Sequence, residues 1–578
     1  MSKLSLLVFT ILFLGILNVP AQNNFTVVVH QSNLPANLNP LTSRGATERS
    51  IQACLFSTLL EYDPNTLKLR PQLAKDFPKI TEIKEGKHAG NMSITYEIRS
   101  EANWDNGQAV TAYDYIFTVK ALKNPLVKTG GMRPYYEFIE DIEVNANNPK
   151  IFTIYSKHSY FLAEESSGEL HLMPEYAYDK QQILRKISIS ELNKPEDELK
   201  SNAFLKTFAD EFNQKKYESE PKYIVGSNAY MVTTWSDQEL ILSKKKNWWG
   251  EKIKNVPALD LGPDEIIHRV YDKPLEAFKA LKDGKIDAMP AVRPQFYLDL
   301  KSNPKFKKSF ELVEPMSFSY AYIGFNTQNP ILADKNVRRA LAHLINRDEV
   351  IEALYHGMAK KVNSPISRTK SYYHKELQDI DYNPQKAANL LAESGWRDSD
   401  RDDILDKKIN GKRTPLSLTY KYNKVNHIRK NIGLLLQMEG KKIGVEIRVE
   451  GYPWNEYLDQ VHSGETEIFS IAWVMGPGLN DMKQIWHTSS FCPKGSNNSF
   501  FGNAETDKLI DEIRSTLDEE KRNALYRKMQ EIIAEEQPYI FLFAPQYRIA
   551  ISKKINNAQI SSLAPGFQVR FFKPNRTP

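Results

Sequence analysis

Residues that could carry out covalent chemistry are sparse and scattered in this sequence. There is no Gly-x-Ser-x-Gly elbow, no Walker phosphate-binding loop, no His-Glu-x-x-His and no Cys-x-x-Cys. The eleven histidines stand apart from one another, as structural or surface histidines do. Paired carboxylates such as Glu164-Glu165 and Glu535-Glu536 have no evident apolar pocket that would tune their pKa values. The sequence therefore predicts no catalytic residue, no metal site and no cofactor.

One acidic segment is faintly similar to a calcium-binding loop. It contains Asp398, Asp400, Asp402 and Asp403, but an EF-hand needs Gly at the sixth position and Glu at the twelfth. Those positions hold Asp403 and Ile409. We therefore expect a solvated turn here and no calcium site.

Size and composition indicate a globular chain of several lobes. The 578 residues are too many for one core, and 41% hydrophobic and 26% charged residues are ordinary for such a chain. The net charge of +6 comes from 77 basic and 71 acidic residues mixed along the sequence. Because no basic block stands out, nucleic-acid binding is not expected.

The amino terminus has the pattern of a cleaved export signal. Lys3 precedes an apolar run over 4–17, and Val19-Pro20-Ala21 provides a small-residue cleavage site before Gln22. An uncleaved membrane anchor is the alternative. A lipid anchor would need a cysteine after the apolar run, but the first cysteine is Cys54. Residues 1–21 are predicted to be a signal peptide, with the mature protein exported to the periplasm and without a lipid anchor.

Export also bears on Cys54 and Cys492. A disulfide is allowed in an oxidising compartment, but a single distant pair does not make a disulfide framework. Two buried free thiols are expected.

The elements that position the remaining residues alternate between strands and helices. Strands are predicted at 25–30, 94–99, 229–234, 239–243, 416–422, 444–449 and 539–543, and helices at 48–60, 111–122, 274–284, 334–344, 383–395 and 518–535. The polar stretch 180–216 is predicted to be a surface insertion. This alternation indicates an α/β protein.

Ordered motifs give the chain a resemblance to a known family. The segment 94–117 contains Trp104-Asp105-Asn106-Gly107 followed by Thr111-Ala-x-Asp114, and Phe325-Asn326-Thr327 leads to Val337-Arg338-Arg339-Ala340-Leu341. Together with Asn383-Pro384, Gly395-Trp396 and Gln537-Pro538, this order resembles the extracellular solute-binding protein family 5. That family holds the dipeptide-, oligopeptide- and nickel-binding components of ABC importers.

The resemblance implies a periplasmic-binding-protein-like fold of type II (cluster C), with two clamping lobes joined by a hinge plus an extra packed domain. The expected divisions are lobe I (22–66, 222–316 and 541–578), lobe II, the extra domain (67–221), and lobe III (317–540). It also implies a monomer that closes on a small-molecule or peptide ligand, partners an ABC permease at the membrane and is not an enzyme.

The same resemblance implies where the ligand binds. Trp473 corresponds to a cleft-lining Trp of the peptide binders. Gly476 stands where those proteins carry the Asp that pairs with the peptide amine, and Ser470 stands where oligopeptide binders carry an Arg. The other candidate ligand-binding residues are Tyr322, Lys421, Asn423, Asp481, Trp486 and Asn498. Among them Asp481 is a possible replacement for the missing acid, and Lys421 and Asn423 lie near the place of a carboxylate-binding Arg.

Because Gly476 and Ser470 lack the charges that identify a peptide, other functions stay open. A peptide is the first expectation. A non-peptide solute such as a glycan fragment or a metal chelate is the alternative, followed by a binding protein that supplies a sensor and by an exported enzyme.

Overall fold

Three β-sheets organise the chain in the computed structural model, which describes residues 24–43 and 45–575. The predicted signal peptide lies outside these residues. The strands are β1 (Thr26–Gln31), β2 (Leu60–Tyr62), β3 (Leu69–Pro71), β4 (Lys79–Glu82), β5 (Met92–Glu97), β6 (Ile139–Val144), β7 (Ile151–Ser156), β8 (Tyr230–Trp235), β9 (Glu239–Lys244), β10 (Glu265–Val270), β11 (Ala288–Met289), β12 (Phe310–Val313), β13 (Tyr320–Phe325), β14 (Ala359–Lys361), β15 (Asp406–Ile409), β16 (Lys412–Pro415), β17 (Ser417–Asn423), β18 (Glu446–Tyr452), β19 (Ile468–Trp473), β20 (Tyr539–Pro545), β21 (Ile549–Ser552), β22 (Ile555–Asn556) and β23 (Lys573–Pro574).

The helices pack on the faces of these sheets. They are α1 (Ala46–Leu55), α2 (Ala112–Lys123), α3 (Ala163–Gly168), α4 (Glu175–Tyr178), α5 (Glu196–Lys200), α6 (Ala203–Phe212), α7 (Lys216–Ser219), α8 (Pro274–Lys282), α9 (Pro294–Lys301), α10 (Pro304–Ser309), α11 (Lys335–His343), α12 (Arg347–Tyr355), α13 (Pro384–Glu393), α14 (His427–Lys441), α15 (Trp454–Ser463), α16 (Lys483–Trp486), α17 (Ala504–Ser515) and α18 (Glu519–Glu536).

Each predicted lobe contains one of the large sheets. Lobe I holds the seven-stranded sheet β12-β21-β11-β1-β10-β9-β8, and lobe II holds the four-stranded sheet β4-β5-β7-β6. Lobe III holds the six-stranded sheet β14-β20-β13-β19-β17-β18. The lobe boundaries themselves stay a prediction, and the boundary proposed at residue 540 falls inside β20.

Lobe III has a hydrophobic core on each face of its sheet. Alternate residues of a strand point to opposite faces. In β13, Ile323 and Phe325 join one core, whereas Tyr320 and Tyr322 join the other. The second core also receives α17 and α18 and lies behind the end of β19.

Two short connections join lobe I to lobe III. The chain passes from β12 to β13 through 314–319 and returns from β20 to β21 through 546–548. The two segments are tied by a backbone bridge between Met316 and Gln546 and by the Tyr547 N–H, which donates to the Pro315 carbonyl at 2.9 Å. Few residues therefore need to change conformation for one lobe to rotate against the other.

Several predicted helix starts are confirmed by their caps. Asp334, Asn383 and Asp518 each accept a backbone N–H of the first turn that follows. Pro274 opens α8 and Gly284 follows its end, as predicted. Helix α1 ends at Leu55, five residues before its predicted end, because the Leu55 carbonyl accepts the Asn228 N–H at 3.1 Å.

The stretch 180–216 differs from its prediction as a surface insertion. It forms α5 and α6, and Leu205, Phe208 and Phe212 of α6 are buried in the core. Its charged residues lie on the outer face of this helix, which made the segment appear wholly polar.

Residues of the sequence signatures hold the framework together. The carboxylate of Asp114 accepts the Trp104 indole N–H at 3.2 Å and the Thr111 N–H at 2.9 Å, which confirms the predicted capping box. Arg338 is 2% exposed, and its guanidinium donates to backbone carbonyls that include Leu332 at 2.7 Å. These motifs therefore stabilise the fold rather than contact a ligand.

Lobe II also buries an ammonium group. Lys123 of α2 is 9% exposed, and its Nζ donates to the Ile139 carbonyl at 3.0 Å. Burial and the charge of Lys157 lower the pKa of Lys123 to about 7, although Glu137 acts in the opposite direction.

The two cysteines agree with their prediction, since Cys54 and Cys492 are buried and free. In the described part of the chain, every helix is too short or too polar to cross a bilayer.

Candidate functional site

The candidate site lies where the end of β19 meets the other two lobes. β17, β18 and β19 run parallel, so their carboxyl ends share one edge of the lobe III sheet. Ligands of α/β proteins commonly bind beyond such an edge. Trp473, Asn423 and the loop after β19 all lie there.

Trp473 is the last residue of β19 and is half-buried. Its Nε1 is enclosed within the protein. The indole N–H lies beside the hydroxyl of Tyr539. Burial raises the pKa of Tyr539 to about 12, while the indole N–H and Tyr322 act in the opposite direction. The polar edge of the indole therefore points into lobe III, and part of its apolar face remains available for stacking.

The loop Gly476–Gly478 follows Trp473 and borders all three lobes. Gly476 is exposed, and a Cβ there would have no atom within 4 Å. A Cβ on Gly478 would lie closer than 3.0 Å to the Glu165 carboxylate of lobe II and the Tyr62 hydroxyl of lobe I. The backbone of lobe III therefore seats directly against the other two lobes at Gly478.

Lys370 supports this loop from within lobe III. Its Nζ donates to the carbonyls of Pro477 and Gly478, the latter at 2.6 Å, and lies 5.5 Å from the Phe318 ring centroid. Burial lowers the pKa of Lys370, while Glu165 acts in the opposite direction. Lys370 had no recognisable motif in the sequence.

Two glutamates of lobe II lie across from Lys370. Burial raises the pKa of Glu165 to about 7, although Tyr62 and Lys370 oppose that rise. Burial and the charge of Glu165 raise the pKa of Glu169 further above its usual range. Glu165 belongs to one of the carboxylate pairs noted in the sequence. The sequence alone did not reveal that this carboxylate is buried.

Asp481 is engaged within the protein. Its side chain is 1% exposed and accepts the Tyr160 hydroxyl at 2.7 Å and the Arg514 Nε at 3.0 Å. Arg514 also donates to the Pro134 carbonyl at 2.5 Å. Because Tyr160 and Pro134 belong to lobe II, this buried network joins lobes II and III.

Lys421 and Asn423 are on β17, next to β19. The Lys421 Nζ donates to the Gln460 side chain at 2.8 Å, and the Asn423 Oδ1 accepts from Arg429 at 2.6 Å. Both have polar partners within lobe III, and Asn423 is 7% exposed. Arg429 is a further cation at this edge that the sequence did not single out.

Tyr322 and Trp486 form the aromatic layer behind Trp473. Both are fully buried. The Tyr322 ring stacks on Tyr539 at 3.9 Å between centroids, and Trp486 lies 4.7 Å from the same ring. The hydroxyl of Tyr320 has no hydrogen-bond partner among the described residues.

The structure does not bring Asn498 together with Trp473. Asn498 Oδ1 lies 3.1 Å from the His462 Nδ1 at the end of α15. The neighbouring Ser499 carbonyl accepts the Thr327 N–H, beyond the end of β13 that pairs with the start of β19. Asn498 therefore lies at the opposite edge of the sheet.

The acidic segment at 398–406 forms a turn that compensates its own charge. Asp398, Asp400 and Asp406 lie close enough to share an ion. However, Asp400 pairs with Arg413, and the Asp406 carboxylate accepts the Ser399 hydroxyl at 2.7 Å. This geometry agrees with the expected solvated turn.

The arrangement at the lobe junction is suited to holding a solute. It offers an indole face, an open glycine, a lysine ammonium and backbone carbonyls, on surfaces that separate when the lobes rotate.

Comparisons with known proteins show what this chain is similar to. The model of "Bacterial extracellular solute-binding proteins, family 5 Middle" matches residues 68–494. The oligopeptide-binding protein AppA of Bacillus subtilis is 27% identical over 543 residues, covering 92% of this chain and 89% of that protein.

Solved structures show the same fold. The AppA structure from Bacillus subtilis, in complex with a nonapeptide, has a TM-score of 0.77 at 23% identity and covers 95% of this chain and 99% of its own. NikZ from Campylobacter jejuni, in complex with Ni(L-His), has a TM-score of 0.73 at 21% identity and covers 94% and 97%. These similarities confirm the predicted periplasmic-binding-protein-like fold class.

Proposed function

Because the chain belongs to the bacterial extracellular solute-binding proteins of family 5, we propose that it is the binding component of an ABC importer. It captures a peptide or a similar small polar solute between lobe III and lobes I and II, and it delivers the solute to a membrane permease. The observation that carries this proposal is the position of Trp473 and the Gly476–Gly478 loop, where all three lobes meet.

The hinge supports capture by closure. Lobe III is joined to lobe I by two short connections, and the contacts of Gly478 and Asp481 cross between lobes. A ligand that contacts both sides adds free energy only in the closed form, so it shifts the population towards that form. A permease can then distinguish loaded from empty protein.

Within the cleft, Trp473 provides a stacking surface and Gly476 leaves space for the ligand backbone. Lys421 and Asn423 supply polar contacts at the same sheet edge. Tyr322 and Trp486 hold the aromatic layer behind Trp473 and act on the ligand through it. For Asp481 we propose the interlobe contact with Tyr160 as its main role, since its oxygens already have partners.

A non-peptide solute is the second candidate. It is favoured by Gly476, which leaves no carboxylate at that position, and by Ser470, which is 1% exposed and carries no charge. An aromatic wall with few unpaired charges suits a glycan fragment or a neutral chelate. A binding protein that supplies a sensor instead of a permease would use the same binding chemistry. An exported enzyme would need catalytic residues beyond those described above.

We also propose that the mature protein is a monomer without a lipid anchor that works in the periplasm; the extracellular family and the predicted signal peptide support the location. This location gives the mature protein access to both solute and permease.

A peptide library tests the proposal. We expect at least one peptide to raise the melting temperature and to reduce the radius of gyration in small-angle X-ray scattering. Trp473→Ala should abolish both effects. The matched control is Trp235→Ala, since Trp235 is also half-buried but lies on the outer strand β8 of lobe I. If glycans or chelates and no peptide cause closure, the peptide assignment is wrong.

A further inference from the structure

Lys370 places a positive charge on the lobe III wall of the cleft. The segment before it is coil after β14, and its side chain reaches the Gly476–Gly478 loop, where Nζ bonds the Pro477 and Gly478 carbonyls. The side chain is half-buried, and these two bonds hold the ammonium in place.

The hydrogen-bonding capacity of this ammonium is not used up. A lysine ammonium has three N–H donors. Two serve the carbonyls of Pro477 and Gly478, and the third has no acceptor among the described residues. One donor is therefore available to a ligand oxygen.

The charge of Lys370 also lacks a close counter-ion. Among the described residues, no carboxylate lies within 4.0 Å of its Nζ, although Glu165 acts on it from a greater distance. The Glu165 carboxylate is instead seated against Gly478 and Tyr62. Asp481, the other acid near the loop, is committed to Arg514 and Tyr160.

A ligand group on the lobe III side of this loop therefore meets a cation and backbone carbonyls, whereas the carboxylates of Glu165 and Glu169 lie on the lobe II side. A second ammonium brought next to Lys370 would be repelled, because like charges in a partly buried site disfavour each other. A carboxylate or a carbonyl oxygen would gain a charge-assisted hydrogen bond.

We propose that Lys370 sets the charge class of the ligand: the group that meets the Gly476–Gly478 loop is an oxygen acceptor, carboxylate or carbonyl, and not an ammonium. The inference rests on the proposed function, because it takes the ligand to enter at this loop. It makes Lys370 a specificity-determining residue.

Three peptides that differ only at their ends test the inference by isothermal titration calorimetry on the mature protein. They are trialanine, N-acetyl-trialanine and trialanine amide. We expect N-acetyl-trialanine to bind most tightly and trialanine amide at least about tenfold more weakly. Lys370→Met should remove this difference and Lys370→Arg should keep it. Lys361→Met is the matched control and should leave the order of affinities unchanged, because Lys361 of β14 is paired with Asp348 of α12.

The inference is overturned if trialanine amide binds most tightly, or if Lys370→Met leaves the order of affinities unchanged. Circular dichroism verifies that each variant folds. If Lys370→Met does not fold, Lys370→Gln replaces it.

A second measurement separates this inference from the proposed function. If no peptide binds, the peptide assignment fails, and the inference is decided by the melting temperature in succinate and in 1,4-diaminobutane. A rise with succinate that Lys370→Met abolishes supports it. A rise with the diamine, or a rise with neither compound, overturns it.

Discussion

Replacing Asp481 by Asn decides whether this acid binds the ligand or joins the lobes. The change keeps the shape of the side chain but removes the buried counter-charge of the Arg514 guanidinium and leaves it only the half-exposed Glu137 carboxylate at 3.6 Å. The Asp481 and Arg514 side chains are 1% and 5% exposed, so solvent cannot compensate for the loss. Breaking a buried ion pair by removing one partner costs about 3–5 kcal/mol. We expect Asp481→Asn to lower the free energy of unfolding by this amount.

Urea denaturation of the mature protein, followed by tryptophan fluorescence, measures the effect. Glu535→Gln is the control, because Glu535 pairs with Lys335 on the surface and such pairs contribute less than about 1 kcal/mol. The same variants are titrated with a peptide that closes the wild-type protein. If Asp481→Asn retains wild-type stability and loses only ligand affinity, the carboxylate is a ligand residue and the reasoning is refuted.

Three further predictions follow from single contacts. The pKa of Lys123 is about 7 in the folded protein and about 10.4 in the unfolded chain, so the unfolded state binds more protons between these two pH values. The free energy of unfolding should therefore rise with pH across that window, by at most about 4–5 kcal/mol. Lys123→Met should flatten this rise in urea titrations at several pH values, whereas substitution of an exposed lysine, Lys206→Met, should not. Gly478→Ala should hold the lobes apart, and small-angle X-ray scattering with saturating ligand should then give a larger radius of gyration than for the unsubstituted protein. Closure of Gly478→Ala to the same radius would contradict the interlobe seat at Gly478. Tyr539→Phe removes a buried hydroxyl that lies beside the Trp473 indole N–H and the Tyr322 hydroxyl, so the free energy of unfolding should fall by about 1 kcal/mol. An unchanged free energy would mean that these groups form no hydrogen bond with it.

Much of the framework could be predicted from local patterns. Caps at Asp334, Asn383 and Asp518 mark helix starts because their side chains bond N–H groups two or three residues away. The alternating Val27 and Val29 of β1 indicate a strand with one buried face. These signals are visible in the sequence because cause and effect are close together in the chain.

The end of α1 could not be predicted in this way. It depends on Asn228, which is far along the chain and meets Leu55 only in the folded protein. The burial of α6 was hidden for a related reason, since a helix with one apolar face has a polar average composition.

Some features of the candidate site could likewise be predicted from the sequence, and others could not. The sequence by itself determined the class of fold, the place of Trp473 at a strand end and the absence of an acid at 476, because these depend on residue types in order. Only the tertiary structure decided that Asp481 pairs with Arg514, that Glu165 seats against Gly478 and that Lys370 holds the loop after Trp473. Each of these contacts depends on charged groups from separate segments that meet in a partly buried space. Their proximity and their desolvation set their partners and their pKa values, and neither quantity is encoded at any single position of the sequence.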